Sequence, residues 1–250
     1  MLPTLDTHAH LAPSRRPEEF SDSGAVLAMS LALDEAERAI QRRDPLIAWG
    51  VGCHPRFPPA QAGFEVNRFR SLAERTAIVG EVGLDAGSRV PMETQLKTFR
   101  HVLEIVGDMP RLVSIHSYQA TGLVLDELER CPIQIPILHG WFGNVAETKR
   151  AVEFGCYFSI HSQVARHSKF RNHVPLERVL VESDHGYKDP PAAIPCRVEW
   201  VEYLVAQQYG LEVEALRRVV WDNFDRVVQE TKTIDLFPKP LVKATEGYGQ

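Results

Sequence analysis

Apolar residues along this chain fall in short runs, and the runs alternate with stretches where apolar positions recur three and four apart. Leu2 to His8 opens as a short strand, and a polar loop rich in Pro and Ser leads to a second apolar run, Gly24 to Ser30. Asp34 to Arg43 has helical composition, with Asp34 placed as a cap or first-turn acid. A third strand over Leu46 to Gly52 ends in Cys53-His54-Pro55, and Phe64 to Arg75 follows as a helix with Phe69 and Leu72 on one face. The fourth strand, Ala77 to Val82, runs into Gly83-Leu84-Asp85. From Glu93 to Val106 the spacing of Leu96, Phe99, Val102, Leu103 and Val106 predicts a helix packed on one side.

The second half repeats the unit. Arg111 to Ile115, Ile133 to Leu138, Cys156 to Ile160 and Arg178 to Glu182 read as strands, with Thr121 to Arg130 and Val145 to Phe154 as helices between them. Eight short, mostly apolar strands alternating with helices predict an α/β fold, a closed parallel (β/α)8 barrel whose strands are buried on both faces. Two helices, about Arg197 to Tyr209 and Glu212 to Val228, complete one domain over residues 1–230. Residues 231–250 carry Pro238, Pro240, Gly247 and Gly249 without periodicity, and read as a tail either strapped along the barrel or disordered.

Active sites of such barrels assemble at the C-terminal strand ends. There the chain places His8 and His10 at the first strand, His54 after the third, Glu81 near the end of the fourth, His116 and His139 at the fifth and sixth, and Asp184 after the eighth. His8 and His10 alternate with Ala9, so in a strand both point to one face and can serve one ion. An isolated His-x-His is commonly accidental; the whole constellation is not. The donor set suits a divalent ion, Zn2+ or Mn2+ most readily, or Mg2+ where carboxylates and water dominate. Glu81 can bridge two ions through its two oxygens, so a two-metal hydrolytic site is expected, with Asp184 taking the proton of an activated water. Asp184 read alone would be a first-turn helix acid.

His54 either donates to a substrate phosphate or hydrogen-bonds a loop, Pro55 keeping it out of a helical conformation. His101, His167 and His173 read as solvent-facing or structural, whereas His161 and His185 flank the site as rim histidines or as partners of ligands or substrate. Arg166, Lys169 and Arg171 follow the seventh strand with His167, a patch that would hold a nucleic-acid strand or simply be a solvated helix surface.

Composition narrows the function classes. At 250 residues with 44% hydrophobic and 24% charged, the chain can build a sizeable core, and a net charge of -5 argues against gripping duplex DNA through a broad basic face. Cys53, Cys131, Cys156 and Cys196 are scattered and read as reduced thiols. No leader or long apolar span is found, so the expectation is a cytoplasmic protein with no membrane contact.

The motifs Asp6-Thr7-His8-Ala9-His10, Gly52-Cys53-His54-Pro55, Gly80-Glu81-Val82-Gly83-Leu84-Asp85, Gln95 with Phe99, Ile115-His116-Ser117, His139-Gly140-Trp141-Phe142-Gly143, Glu182-Ser183-Asp184 and Asn223-Phe224 occur in that order. In them the chain resembles the TatD-like metal-dependent hydrolases of the amidohydrolase superfamily. The resemblance implies metal ligands at His8, His10, Glu81, His116, His139 and Asp184, and a DNA nuclease working from a 3′ end on single-stranded DNA. The same site could instead cleave an ester or amide, including a deacylase reaction on a small molecule or charged tRNA. The substrate side departs from the family pattern: Ala86-Gly87 replaces an expected aromatic pair, Tyr118 stands where Arg is usual, and His185-Gly186 follows Asp184 where Ala-Pro is usual. These departures suggest a divergent branch, such as the TatD-like components of anti-phage operons. There a protein partner would supply specificity, or the barrel would serve as a partner-binding subunit with vestigial nuclease activity.

Overall fold

The computed structural model describes residues 2–166, 173–186 and 197–246. Eight parallel strands run in chain order: β1 (Leu5–His10), β2 (Ala25–Met29), β3 (Ile47–Trp49), β4 (Ile78–Gly83), β5 (Leu112–His116), β6 (Ile135–His139), β7 (Tyr157–Ile160) and β8 (Val179–Val181). β1–β3 form one ladder and β4–β8 another. Two bridges close the ring. Val51, just past β3, pairs with Val79 of β4, and Ala9 of β1 pairs with His185 beyond β8. The Gly80 N–H donates to the Val51 carbonyl at 2.9 Å, and the His10 N–H to the His185 carbonyl at 2.7 Å. The expected barrel is therefore present, its two ladders joined by a bridge at each seam.

Helices α1 (Leu33–Ala39), α2 (Pro58–Ala62), α3 (Val66–Ala73), α4 (Met92–Asp108), α5 (Thr121–Arg130), α6 (Val145–Glu153), α7 (Ser162–Ala165), α8 (Glu199–Tyr209), α9 (Val213–Thr231) and α10 (Lys239–Glu246) connect and surround the strands. α4 buries Phe99, Val102, Leu103 and Val106, the face its spacing predicts, and leaves Leu96 partly covered. The first crossover lacks a full helix and holds only a 3-10 turn, Pro17–Phe20. The first strand begins at Leu5, three residues later than its apolar pattern suggests. Leu2 and Pro3 instead offer their carbonyls to Arg217 and Trp221 of α9, at 3.2 and 2.8 Å.

Residues 231–246 hold more order than their lack of periodicity implies. A 3-10 turn (Ile234–Leu236) precedes α10, and Phe237 and Leu241 are buried. The Phe237 ring meets Phe224 edge-on at 5.5 Å. Pro238 and Pro240 mask this segment in sequence, but Pro240 sits in the first turn of α10, where a missing N–H costs nothing. Among the described residues no helix is long and apolar enough to cross a membrane.

Candidate metal centre

Glu81, on β4 and 1% exposed, is the hub of the site. Its Oε2 lies 2.9 Å from His10 Nε2, 3.2 Å from His54 Nε2 and 3.4 Å from His8 Nε2. Its Oε1 lies 2.5 Å from His116 Nδ1 and 3.6 Å from His139 Nε2. The two carboxylate oxygens thus divide five imidazoles between them. Asp184 joins His8 and His10, with one donor atom of each within 4.8 Å of the others. All six residues expected as ligands converge at the C-terminal end of the barrel.

Backbone fit makes the convergence feasible. A Cβ on Gly52 would stand 2.2 Å from the Ser30 carbonyl oxygen and 2.4 Å from the Glu81 nitrogen. Only a bare α-carbon lets the chain after β3 lie against Glu81, where the Cys53 N–H donates to the Glu81 carbonyl at 3.0 Å. Asp184 adopts φ 53°, in the left-handed region that most side chains avoid and Asp tolerates. Its N–H donates to the His8 carbonyl at 3.1 Å, joining the eighth-strand loop to β1. Buried Asp6 reinforces this joint by accepting from the Ser183 hydroxyl at 2.5 Å and the Ser183 N–H at 3.0 Å. Burial raises the Asp6 carboxyl to about 7 against those bonds.

An outer ring of hydrogen bonds orients the imidazoles. His116 Nε2 lies 2.8 Å from Asp85 Oδ2, and His139 Nδ1 lies 2.8 Å from Glu182 Oε1. A carboxylate only accepts, so those nitrogens carry protons, and each ring in its neutral form would turn a bare nitrogen toward Glu81. His8 Nδ1 is paired with the Ser114 hydroxyl at 2.7 Å. His54 is oriented the other way. Its Nδ1 accepts from the Arg56 N–H at 3.0 Å, so the neutral ring carries its proton on Nε2 and faces Glu81 as a donor.

This donor chemistry fits a divalent cation. His116 Nδ1 and Glu81 Oε1 approach closely without the angle of a hydrogen bond, and both are buried without a hydrogen-bond partner, as is His10 Nδ1. Lone pairs that face one another in a buried site need a positive charge between them. Protons supply some of it. Burial alone would lower His139, but the negative charges of Glu182 and Glu81 raise it to about 10. His10 and His116 also rise, against burial, through Glu81. His8 is driven down to about 3 by burial and by the charge of His139. Glu81 stays well below the usual carboxylate range because the surrounding imidazolium charges outweigh its burial. Burial lifts Asp184 to about 6. A cation would take the place of these protons.

A cavity of about 590 Å3 opens over the centre, lined by Glu81, His139 and Asp184 at its base and by Arg56, Tyr118 and Phe142 among its walls. His161 also lines it, its Nδ1 accepting from the Gln163 N–H at 3.1 Å. His185 does not. It is buried, with its backbone paired to β1. His101 faces outward beside Glu104. Arg166 is described, whereas His167, Lys169 and Arg171 lie outside the described residues. Asp85 and Glu182 were legible only as parts of motifs, without a role. The available signal for Glu182 was a carboxylate closing the apolar run Val179-Leu180-Val181.

The model of the TatD related DNase family matches residues 5–229. "Putative deoxyribonuclease TATDN3" of Mus musculus is 23% identical, over 98% of this chain and 96% of its own length. "Uncharacterized metal-dependent hydrolase YcfH" of Escherichia coli strain K12 is 26% identical, over 89% of this chain and 94% of its own. The solved structure of YJJV, a TATD homolog from Escherichia coli K12, shares the fold with a TM-score of 0.77 at 18% identity, over 90% of this chain and 97% of that one.

Proposed function

Because the chain belongs to the TatD related DNase family, matched over residues 5–229, we propose that it removes nucleotides from the 3′ end of single-stranded or frayed DNA at a two-metal site. Membership makes it a metal-dependent hydrolase acting on ester bonds. The observation that carries the two-metal reading is the division of imidazoles between the oxygens of Glu81. His8 and His10 approach Oε2, while His116 and His139 approach Oε1. Asp184 completes the first group, so the six residues would hold two divalent ions, with Glu81 common to both groups of imidazoles. Ions bound there would supply Lewis-acid charge to a phosphoryl oxygen and lower the pKa of the attacking water.

The chain's own groups do the rest. An Asp184 oxygen accepts the proton of the attacking water, close to His8 and His10. His54, whose Nε2–H is set by the Arg56 N–H, donates to a phosphoryl oxygen. Glu182 and Asp85 hold His139 and His116 in the orientation the ions require.

A panel of 5′-labelled and 3′-labelled single-stranded oligonucleotides with Mg2+, Mn2+ or Zn2+ tests this reading. Wild type should shorten the 5′-labelled strand to a ladder and release labelled mononucleotide from the other, and Asp184→Asn should do neither while melting normally. Intact DNA under every metal, with hydrolysis of an acyl ester or amide, would move the assignment to a deacylase.

A further inference from the structure

Two aromatic rings stand half exposed over the metal centre, on adjacent loops. Tyr118, two residues beyond His116, is 47% exposed, and Phe142, three beyond His139, is 53% exposed. Both line the cavity that contains Glu81, His139 and Asp184. Two rings that line one cavity with reactive groups offer their π-faces to whatever that cavity holds.

Each ring is supported by the chain around it. The Ala86 N–H donates to the Tyr118 carbonyl at 3.0 Å, and the Tyr118 ring lies across Gly87. A Cβ there would come within 3.2 Å of Tyr118 Cε1 and 3.5 Å of Cδ1. Ala86-Gly87 and Tyr118, two departures from the family pattern, are thus one feature: small residues on the fourth-strand loop make room for a ring from the fifth. Gln119 follows in the left-handed region at φ 51°, fixing the turn that presents this ring. Phe142 packs at 5.6 Å and 58° against His161, which is itself tied down by the Gln163 N–H.

We propose that Tyr118 and Phe142 form an aromatic clamp for the nucleobase next to the scissile phosphodiester, an inference that rests on the DNA reading above. A nucleobase is the occupant these walls favour, because it is planar and lies within one nucleotide of a phosphate held at the ions. Every base has a π-face, so the clamp tolerates sequence and requires the base to be unstacked and unpaired. A terminal base pair must fray before the ring pair can take its base.

The test uses an oligonucleotide with 2-aminopurine at its 3′ nucleotide and a matching strand ending in an abasic residue. Stopped-flow mixing with the Mg2+-loaded wild type should quench the 2-aminopurine before any hydrolysis. Tyr118→Ala and Phe142→Ala should lose the quench and raise KM about five- to a hundredfold on the base-bearing strand. Tyr118→Phe should behave as wild type, and the abasic strand should be insensitive to all three changes. Unaltered quench and KM in the alanine variants, or equal losses on both strands, would overturn the clamp while hydrolysis by wild type kept the nuclease reading. A quench without hydrolysis would support the clamp and overturn the nuclease. Neither quench nor hydrolysis by wild type would overturn both.

Discussion

His139 and Glu182 form a buried imidazole–carboxylate pair in which Nδ1 donates to Oε1 at 2.8 Å, and the same oxygen accepts from the Gly140 N–H at 3.0 Å. The pair decides which nitrogen of His139 turns toward Glu81. Glu182→Gln keeps the volume but removes the charge and lets the side chain donate as well as accept, so the ring is no longer held in one tautomer. Affinity for Zn2+ or Mn2+, read by calorimetry, should weaken about ten- to a hundredfold. In chelator the melting temperature should fall as well, because the buried imidazolium of His139 loses its counter-charge there. Unchanged affinity would leave Glu182 a packing residue.

Protons and metal compete for the same nitrogens, so metal uptake should depend on pH with a definite sign. His139 is held up at about 10 although burial opposes it, and His10 and His116 are raised as well. A cation must displace these protons, which becomes easier as pH rises. Affinity should therefore increase from about pH 6 to pH 8, by about tenfold per pH unit for each proton released. Calorimetry in two buffers of different ionisation enthalpy counts the protons directly. A pH-independent affinity with no proton release would contradict this charge balance.

His54 lies as close to Glu81 as the expected ligands do, yet the Arg56 N–H on its Nδ1 makes it a donor. His54→Ala should lower kcat/KM on the order of a hundredfold, the effect of removing one donor to a developing charge. Metal affinity should stay within about twofold of wild type. Loss of both in step would make His54 a ligand.

Much of this centre was legible in the sequence because a barrel strand ends where its apolar run ends. His116 and His139 are the last residues of β5 and β6. What stayed hidden depends on pairs distant in sequence. Asp85 reaches His116 across 31 residues and Glu182 reaches His139 across 43, and no local spacing records such bonds. Tyr118 was visible only as a departure from pattern, since its fit over Gly87 is a matter of shape. His161 and His185 looked alike in the sequence, each just past a strand; one lines the cavity and the other is buried beside β1. At the C-terminus Phe237 and Leu241 stand four apart, but two prolines between them broke the visible period.

Arg42 explains how the barrel manages its first crossover without a full helix, and it yields a stability prediction. Its guanidinium donates to both Asp44 oxygens at 2.7 Å and to the Pro13 and Arg15 carbonyls at 2.8 and 2.7 Å. It also lies over the rings of Phe20 and Trp49, 5.6 and 5.2 Å from their centroids. Trp49 Nε1 donates to Asp44 at 2.9 Å, so one buried carboxylate anchors the loop after β1, the 3-10 turn and β3 together. Burial pushes the Asp44 carboxyl up, but the bonds from Arg42 and Trp49 outweigh it and hold the carboxyl below its ordinary range. A carboxyl depressed in the folded state contributes fully above its unfolded pKa of about 4 and loses that contribution as pH falls through the folded value. Asp44→Asn should therefore cost on the order of 3 kcal/mol at neutral pH, because it leaves Arg42 without its counter-charge. Urea unfolding of metal-free protein should show that gap unchanged from about pH 7 to pH 5 and narrowing toward pH 3. A gap that persisted at pH 3 would mean that shape, and not charge, holds the crossover.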